Sequence, residues 1–208
     1  MAHHFHILDV FAERPYAGNQ LAVVLDAGDL STDEMQTIAL ETNFSETTFL
    51  VGDRASDGGW PVRIFTPSAE LPFAGHPTIG TAWLIRNRLT AEPADEIVLN
   101  LGVGPVPVRF EGPAETDLGF MDGPGATFGA PIPAELAATA LGLEAGDIDD
   151  RAPVQPVSAG IDFLFVPLRS AAALHRARLD LLPAALLGQH ALGLGDRDLA
   201  LEVERDLL

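Results

Sequence analysis

Two short segments in the first half of the chain combine residue types that can move protons. In residues 43–49, Asn-Phe-Ser-Glu-Thr-Thr-Phe, Glu46 is flanked by hydroxyl side chains and lies close to two phenylalanines. A carboxylate in partly apolar surroundings has its charged form disfavoured and its pKa raised, which suits acid–base catalysis near neutral pH. The alternative is a solvent-facing glutamate on an edge strand, because most glutamates in proteins are exposed.

The second segment is residues 73–80, Phe-Ala-Gly-His-Pro-Thr-Ile-Gly. Gly75 allows a ligand to approach the backbone closely, and a helix that begins at Pro77 directs amide donors and a partial positive charge toward its N-terminal side. A small anionic ligand would be favoured there, with His76 beside it to supply a hydrogen bond or a proton. The alternative is that His76 only caps a buried helix.

Three other patterns are weaker. His3, His4 and His6 resemble a metal-binding tract, but His3 and His6 would fall on opposite faces of a strand and no carboxylate partner is evident nearby, so no metal site is expected. Gly18-Asn19 is either a ligand-facing turn or ordinary turn chemistry. Residues 102–105, Gly-Val-Gly-Pro, lack the third glycine of a dinucleotide loop and predict a hairpin turn.

Short strands and two helices are expected to position these residues. Ser31 and Glu34 have capping-box spacing, which predicts a helix from there to Asn43. Alternating apolar residues between turn signals predict strands at residues 5–11, 20–25, 44–51, 60–66, 96–101 and 106–110.

The second predicted helix spans residues 77–88, with Pro77 at its first position and His76 as its N-cap. Its first two turns are apolar or small on every face. A helix without a polar face is normally surrounded by protein, so we expect strands wrapped around this helix.

The second half begins to repeat the first. A domain boundary is placed between residues 115 and 116, near Pro- and Gly-rich turns, which gives domains 1–115 and 116–208. Beyond it, the sequence predicts helices and strands at residues 133–143, 154–158, 161–168 and 170–178. Residues 179–208 contain no counterpart of the Gly-His-Pro segment, so the second repeat is expected to be incomplete.

The amino-acid composition excludes several classes of catalytic chemistry and of binding partner. The 208 residues include no cysteine and no lysine, which excludes disulfides, thiolate catalysis, Cys-ligated metals, lysine Schiff bases and Walker-type phosphate loops. A formal charge of −18 argues against nucleic acid and anionic membranes as partners. No apolar run reaches the ~20 residues of a membrane span and no secretory signal is evident, so an acidic, cytoplasmic protein is expected.

Taken together, the segments resemble PhzF-like proteins, the phenazine-biosynthesis isomerase family with the diaminopimelate-epimerase fold. Five ordered segments over about eighty residues carry the resemblance, namely residues 9–11, 14–24, 41–49, 63–67 and 70–82. Gln20 stands where proline is usual, and residues 160–167 support the resemblance more loosely.

The resemblance implies an α+β fold of two similar domains, each a β-barrel-like sheet around a central α-helix. It places the acid/base glutamate on Glu46 and the active-site histidine on His76, with Ser45 and Gly75 near the ligand carboxylate and Asn19 lining the cleft. No metal or organic cofactor is implied. The chemistry would be a cofactor-independent proton shift on a small carboxylate-bearing metabolite, and the absence of cysteine excludes a cysteine-dependent epimerase on the same fold.

One family motif is missing. The resemblance leads us to expect a Glu-Asp-Pro-Ala-Thr-Gly-Ser-type segment in the second domain, and residues 118–208 contain none. The chain is then truncated, completed by another chain, or inactive. The alternative function is therefore a catalytically silent small-anion binder or a heteromeric scaffold. A homodimer, or a partner that completes the second domain, is expected.

Overall fold

The computed structural model describes residues 3–112 and 118–180. They form two compact units, one ending at Gly125 and the other beginning at Ala126. This division lies ten residues beyond the boundary expected after residue 115. The expected domains, 1–115 and 116–208, stay a prediction. No helix in the described part of the chain is long and apolar enough to cross a membrane.

One curled sheet forms the framework of the first unit. Its strands are β1 Phe5–Val10, β2 Asn19–Val24, β3 Glu46–Leu50, β4 Trp60–Phe65, β5 Glu70–Leu71, β6 Glu96–Leu101, β7 Gly104–Glu111 and β8 Leu118–Met121. They run in the order β1-β2-β3-β4-β6-β7-β8, with β5 paired to β4. Neighbours pair antiparallel except β2 with β3 and β4 with β6, which are parallel.

The parallel pairing of β2 with β3 follows from the helix between them, α1 Thr32–Thr42. The predicted capping box is confirmed: the Ser31 side chain accepts from the Glu34 N–H, and the Glu34 carboxylate accepts from the Ser31 N–H. Asn43 ends the helix in a left-handed conformation, with φ of 54°. The crossover returns the chain beside β2 in the same direction, as a strand–helix–strand unit does.

The central helix is α2 Gly75–Leu84, which contacts β1, β2, β3, β6, β7 and β8. The sheet therefore curls around this helix as a half-barrel, as the helix without a polar face predicted. Seven of its ten residues are buried, among them Thr81 and Ala82.

A glycine permits this close packing. A Cβ atom built on Gly80 would lie 2.7 Å from Leu21 Cδ2 and 2.7 Å from Val10 Cγ2, so only glycine lets α2 approach β1 and β2 this closely. Nearby, the buried hydroxyls of Thr48 on β3 and Thr81 on α2 are 2.8 Å apart and satisfy each other.

The predicted start of α2 was two residues late. The helix begins at Gly75 with Ala74 as N-cap, so His76 is the second helical residue and does not cap. Pro77 at the third position costs no hydrogen bond, because the first N–H groups of a helix have no intrahelical partner. After Leu84 the chain continues as a wider π-helical turn, Ile85–Leu89.

The second unit contains a small sheet and two short helices. Its antiparallel strand order is β11-β10-β9, and its core consists of residues from α3 and the segments around it. The elements are β9 Thr127–Phe128, α3 Ala134–Ala140, β10 Gln155–Ser158, β11 Asp162–Phe165 and α4 Ala171–Arg176. The expected early stop of the second repeat concerns residues 179–208, of which 181–208 lie outside the described residues.

Candidate active site

Glu46 is buried at the first position of β3. Its exposed fraction is 8%, and β3 lies between β2 and β4 with all five of its residues buried. The alternative of an exposed glutamate on an edge strand is therefore wrong. A buried carboxylate loses its hydration, so it needs polar partners that compensate for this loss. Buried ionisable groups of this kind are common in active sites.

His76 lies next to this carboxylate. Its exposed fraction is 9%, and its Nε2 lies 3.4 Å from Glu46 Oε2. Burial lowers the pKa of His76, because the charged imidazolium loses its hydration, and the nearby Gln20 backbone only partly opposes this shift. The imidazole is therefore neutral at neutral pH.

Asn19 and Ser45 join the same cluster because their strands are parallel neighbours. The register that pairs Leu21 with Glu46 brings together the starts of β2 and β3, where Asn19 and Ser45 stand. Asn19 Nδ2 lies 3.2 Å from His76 Nδ1, and Ser45 Oγ donates to Asn19 Oδ1 at 3.2 Å. Both residues are exposed, so the cluster reaches from solvent to the buried histidine.

Gly75 provides open space at the start of α2. A Cβ atom built there would meet nothing within 4 Å, and the first turn of the helix carries no acidic residue. The positive end of the helix dipole, which favours anions, thus lies beside open space.

The cluster can transfer protons. A buried carboxylate can take a proton from a substrate carbon and return it, while a neutral histidine beside it donates or accepts a hydrogen bond. The distance of 3.4 Å between the two groups is slightly longer than a good hydrogen bond, as is common in ligand-free active sites.

The other histidine pattern lies elsewhere. His3 Nε2 lies 3.7 Å from Asp29 Oδ1, a carboxylate neighbour that sequence reasoning missed because the turn after β2 brings it close. Within residues 3–112 and 118–180, no group of three or more metal-ligating side chains could hold a metal ion. A cavity of about 350 Å³ beside His3 is lined by Asp26, Asp29 and Asp53 and includes neither Glu46 nor His76.

Sequence reasoning chose Glu46, His76, Asn19, Ser45 and Gly75, and the structure brings all five together. It missed the connection through Asn19 from Ser45 to His76. The strand–helix–strand order of residues 20–51 was a usable signal, since it predicts parallel pairing and hence the meeting of the two strand starts.

The sequence profile of the PhzC-PhzF family, described as phenazine biosynthesis-like protein, matches residues 8–198. A curated relative, the trans-2,3-dihydro-3-hydroxyanthranilate isomerase of Pseudomonas aeruginosa, is 40% identical over 195 residues, which is 86% of this chain. The chain spans 64% of the length of that relative.

Solved structures agree with the sequence relatives. A predicted epimerase from Pseudomonas aeruginosa is 37% identical with a TM-score of 0.78, covering 91% of this chain and 68% of its own. The PhzF-family phenazine biosynthesis protein of Bacillus anthracis is 28% identical with a TM-score of 0.70, covering 86% of this chain and 60% of its own.

Proposed function

The chain belongs to the PhzC-PhzF family of phenazine biosynthesis-like proteins, and on this basis we propose that it is an isomerase that shifts a proton within a small carboxylate-bearing substrate. The observation that carries the proposal is the buried Glu46 carboxylate 3.4 Å from His76 Nε2, at the N-terminal end of α2. The similar Pseudomonas aeruginosa protein supports the reaction class, since its name is that of an isomerase of an anthranilate derivative, a carboxylate.

Glu46 is the acid/base in this proposal. Its carboxylate takes a proton from a substrate carbon that neighbouring unsaturation makes acidic, and the electron pair of the broken C–H bond enters the conjugated system. The protonated Glu46 then delivers the proton to another carbon of the same substrate. Substrate and product therefore have the same atoms, and no oxidant, reductant or cofactor enters the reaction.

The other residues of the cluster bind and stabilise. The substrate carboxylate lies at the first turn of α2, where Gly75 leaves space, and Ser45 is linked to this turn through Asn19 and His76. The helix dipole and the neutral His76 stabilise the negative charge that develops when the proton leaves carbon. Removal of a positioned general base of this kind lowers turnover by about 10²–10⁴-fold.

The test is Glu46→Gln, which keeps the shape of the side chain and removes its basicity. The test compound is trans-2,3-dihydro-3-hydroxyanthranilate, which is in the name of the Pseudomonas aeruginosa relative, and NMR follows the exchange of its carbon-bound hydrogen with deuterated solvent. We expect exchange to fall by at least about 10²-fold. The matched control is Glu41→Gln on the exposed side of α1, which should exchange like the unmodified chain.

Equal exchange by the Glu46→Gln variant and the unmodified chain would refute the role of Glu46. An unmodified chain that binds small carboxylates without exchanging their hydrogen would instead favour the silent binder or scaffold, the alternative that the missing second-domain motif suggests. Its binding would be indifferent to Glu46→Gln. The homodimer, or a partner that completes the second domain, stays a prediction that the mass of the purified protein in solution checks.

A further inference from the structure

Two polar side chains lead from the surface of the first unit to the buried histidine. Ser45 Oγ donates to Asn19 Oδ1, and Asn19 Nδ2 lies 3.2 Å from His76 Nδ1. The other ring nitrogen, Nε2, lies 3.4 Å from Glu46 Oε2. The ring thus has three polar neighbours: the Asn19 amide at Nδ1, the Glu46 carboxyl group at Nε2, and the Gln20 backbone, which also favours a protonated ring nitrogen.

These partners decide which nitrogen carries the proton. A neutral imidazole has one N–H and one lone pair, and its neighbours select the tautomer. An ionised carboxylate can only accept, so a proton on Nε2 is attracted by Glu46, whereas a lone pair there would be repelled. Nδ1 must then accept a hydrogen bond, and the NH₂ group of Asn19 is the donor that meets it.

The surface end of the cluster agrees with this direction. With its NH₂ group toward His76, Asn19 turns its carbonyl oxygen toward Ser45, and the Ser45 hydroxyl donates to that oxygen at 3.2 Å. The two donations then run one way, from Ser45 to Asn19 and from Asn19 to His76, whose Nε2–H faces Glu46. The opposite tautomer would have to reverse the Asn19 amide and place a lone pair against the carboxylate.

We propose that Asn19 is a positioning residue that holds His76 in its Nε2–H tautomer, with Ser45 orienting the Asn19 amide. The inference rests on the proposed function, because it takes Glu46 as the ionised base of the resting enzyme. Held in this form, His76 directs a donor toward Glu46 and toward the charge that develops on the substrate. A fixed tautomer is what the orienting partner of a catalytic histidine commonly provides.

The first measurement needs no substrate. In the ligand-free 208-residue chain labelled with nitrogen-15, long-range proton–nitrogen correlation spectra show which imidazole nitrogen of each histidine is protonated. The His76 signals are identified by their loss in His76→Gln. We expect Nε2 protonated and Nδ1 unprotonated at neutral pH.

The variant Asn19→Asp keeps the size of the side chain and replaces the amide donor by an acceptor. We expect the His76 proton to move to Nδ1 or the ring to become an imidazolium, with a titration midpoint raised by about one unit or more. In the exchange assay, kcat should fall at least about 10²-fold with KM changed less than about threefold. Because Asn19 is exposed, the substitution creates no cavity.

Two further variants make the result specific. Asn87→Asp is the matched control: Asn87 lies in the turn that follows α2 and donates to the Trp83 carbonyl, so this variant adds the same charge and loses one hydrogen bond away from the cluster. We expect it to leave the His76 signals unchanged. Asn19→Ala removes the donor without adding charge and should lower the share of the Nε2–H tautomer, which Glu46 alone then favours.

Two results would overturn the proposal. One is a His76 that carries its proton on Nδ1 in the unmodified chain. The other is an Asn19→Asp variant with unaltered His76 signals and only a raised KM, which would make Asn19 a simple substrate contact. If Glu46→Gln leaves hydrogen exchange unchanged, the proposed function fails instead, and the tautomer spectra remain a separate result.

Discussion

At the scale of single residues, the site depends on placing a carboxylate and an imidazole side by side away from water. The residue types around Glu46 and Gly75-His76 predicted acid–base chemistry and anion binding separately. Their contact could not be predicted from either segment, because thirty residues and a parallel strand pairing separate them. Burial then disfavours an imidazolium at His76 by lowering its pKa.

The lowered pKa of His76 predicts a dependence of stability on pH. The unfolded chain binds a proton at His76 below its ordinary pKa of 6.5, whereas the folded chain resists protonation until lower pH. The contribution of neutral His76 to the free energy of unfolding is therefore fully present above pH 6.5. It is lost as the pH falls toward the lowered pKa of His76 in the folded state. Urea unfolding at about pH 8 and about pH 5 measures this loss.

The comparison that isolates His76 is His76→Gln, which cannot titrate. Its stability should fall less than that of the unmodified chain over the same pH range. His175→Gln, at an exposed position on α4, is the control and should follow the unmodified chain. Equal losses in the unmodified chain and in His76→Gln would contradict the prediction.

At the scale of elements, regular and strongly patterned segments were predicted well. The capping box fixed the start of α1, and β6 was predicted with the bounds that it has. The short strands β5 and β9 were missed, because two residues carry no periodicity. The start of α2 was misplaced because a proline is compatible with any position of the first helical turn.

Gly80 in α2 gives a test of how closely this helix packs. Gly80→Ala gains helix propensity, but its methyl group would lie 2.7 Å from Leu21 and from Val10, closer than atoms can approach. Overpacking of this kind costs about 1–3 kcal/mol, so we expect the free energy of unfolding to fall by that amount. Urea denaturation measures the change.

The matched control is Gly146→Ala in the short 3₁₀ turn Ala145–Asp147 of the second unit. A Cβ atom at Gly146 meets nothing within 4 Å, so this substitution should change stability little. If Gly80→Ala is as stable as the unmodified chain, α2 does not need its close contact with β1 and β2.

At the scale of the whole molecule, all five candidate site residues belong to the first unit, whereas the second unit carries a cluster of ion pairs. Asp147, Asp149 and Asp150 pair with Arg176, Arg151 and Arg169 respectively. Composition predicted the acidic character, and the family resemblance predicted an α+β fold with the curled sheet around a helix. The repetition of the first unit by the second stays a prediction. The strands of the second unit are too short for a sequence pattern to show whether they match those of the first.

The ion pairs predict the acid sensitivity of the second unit. Hydrogen bonds from the Arg151 side chain and backbone lower the pKa of Asp149 from its ordinary 3.8 to about 2. The contribution of the Asp149–Arg151 pair to stability is therefore present above pH 3.8 and is lost as the pH falls toward about 2. The unmodified chain should lose more stability between about pH 6 and about pH 3 than Asp149→Asn does, as urea unfolding measures.

Asp162→Asn, at an exposed position on β11, is the control for this comparison and should behave as the unmodified chain does. The prediction fails if Asp149→Asn and the unmodified chain lose the same stability on acidification.

The parallel unit of β2, α1 and β3 has a consequence for how the protein is made. Residues 19–76 contain every candidate site residue, so the complete cluster leaves the ribosome before β6, β7 and β8 emerge from it. During synthesis, α2 can meet β1, β2 and β3, which are already made, and β6, β7 and β8 then enclose a helix already in contact with the sheet. The candidate site would thus be assembled first and shielded from water afterwards.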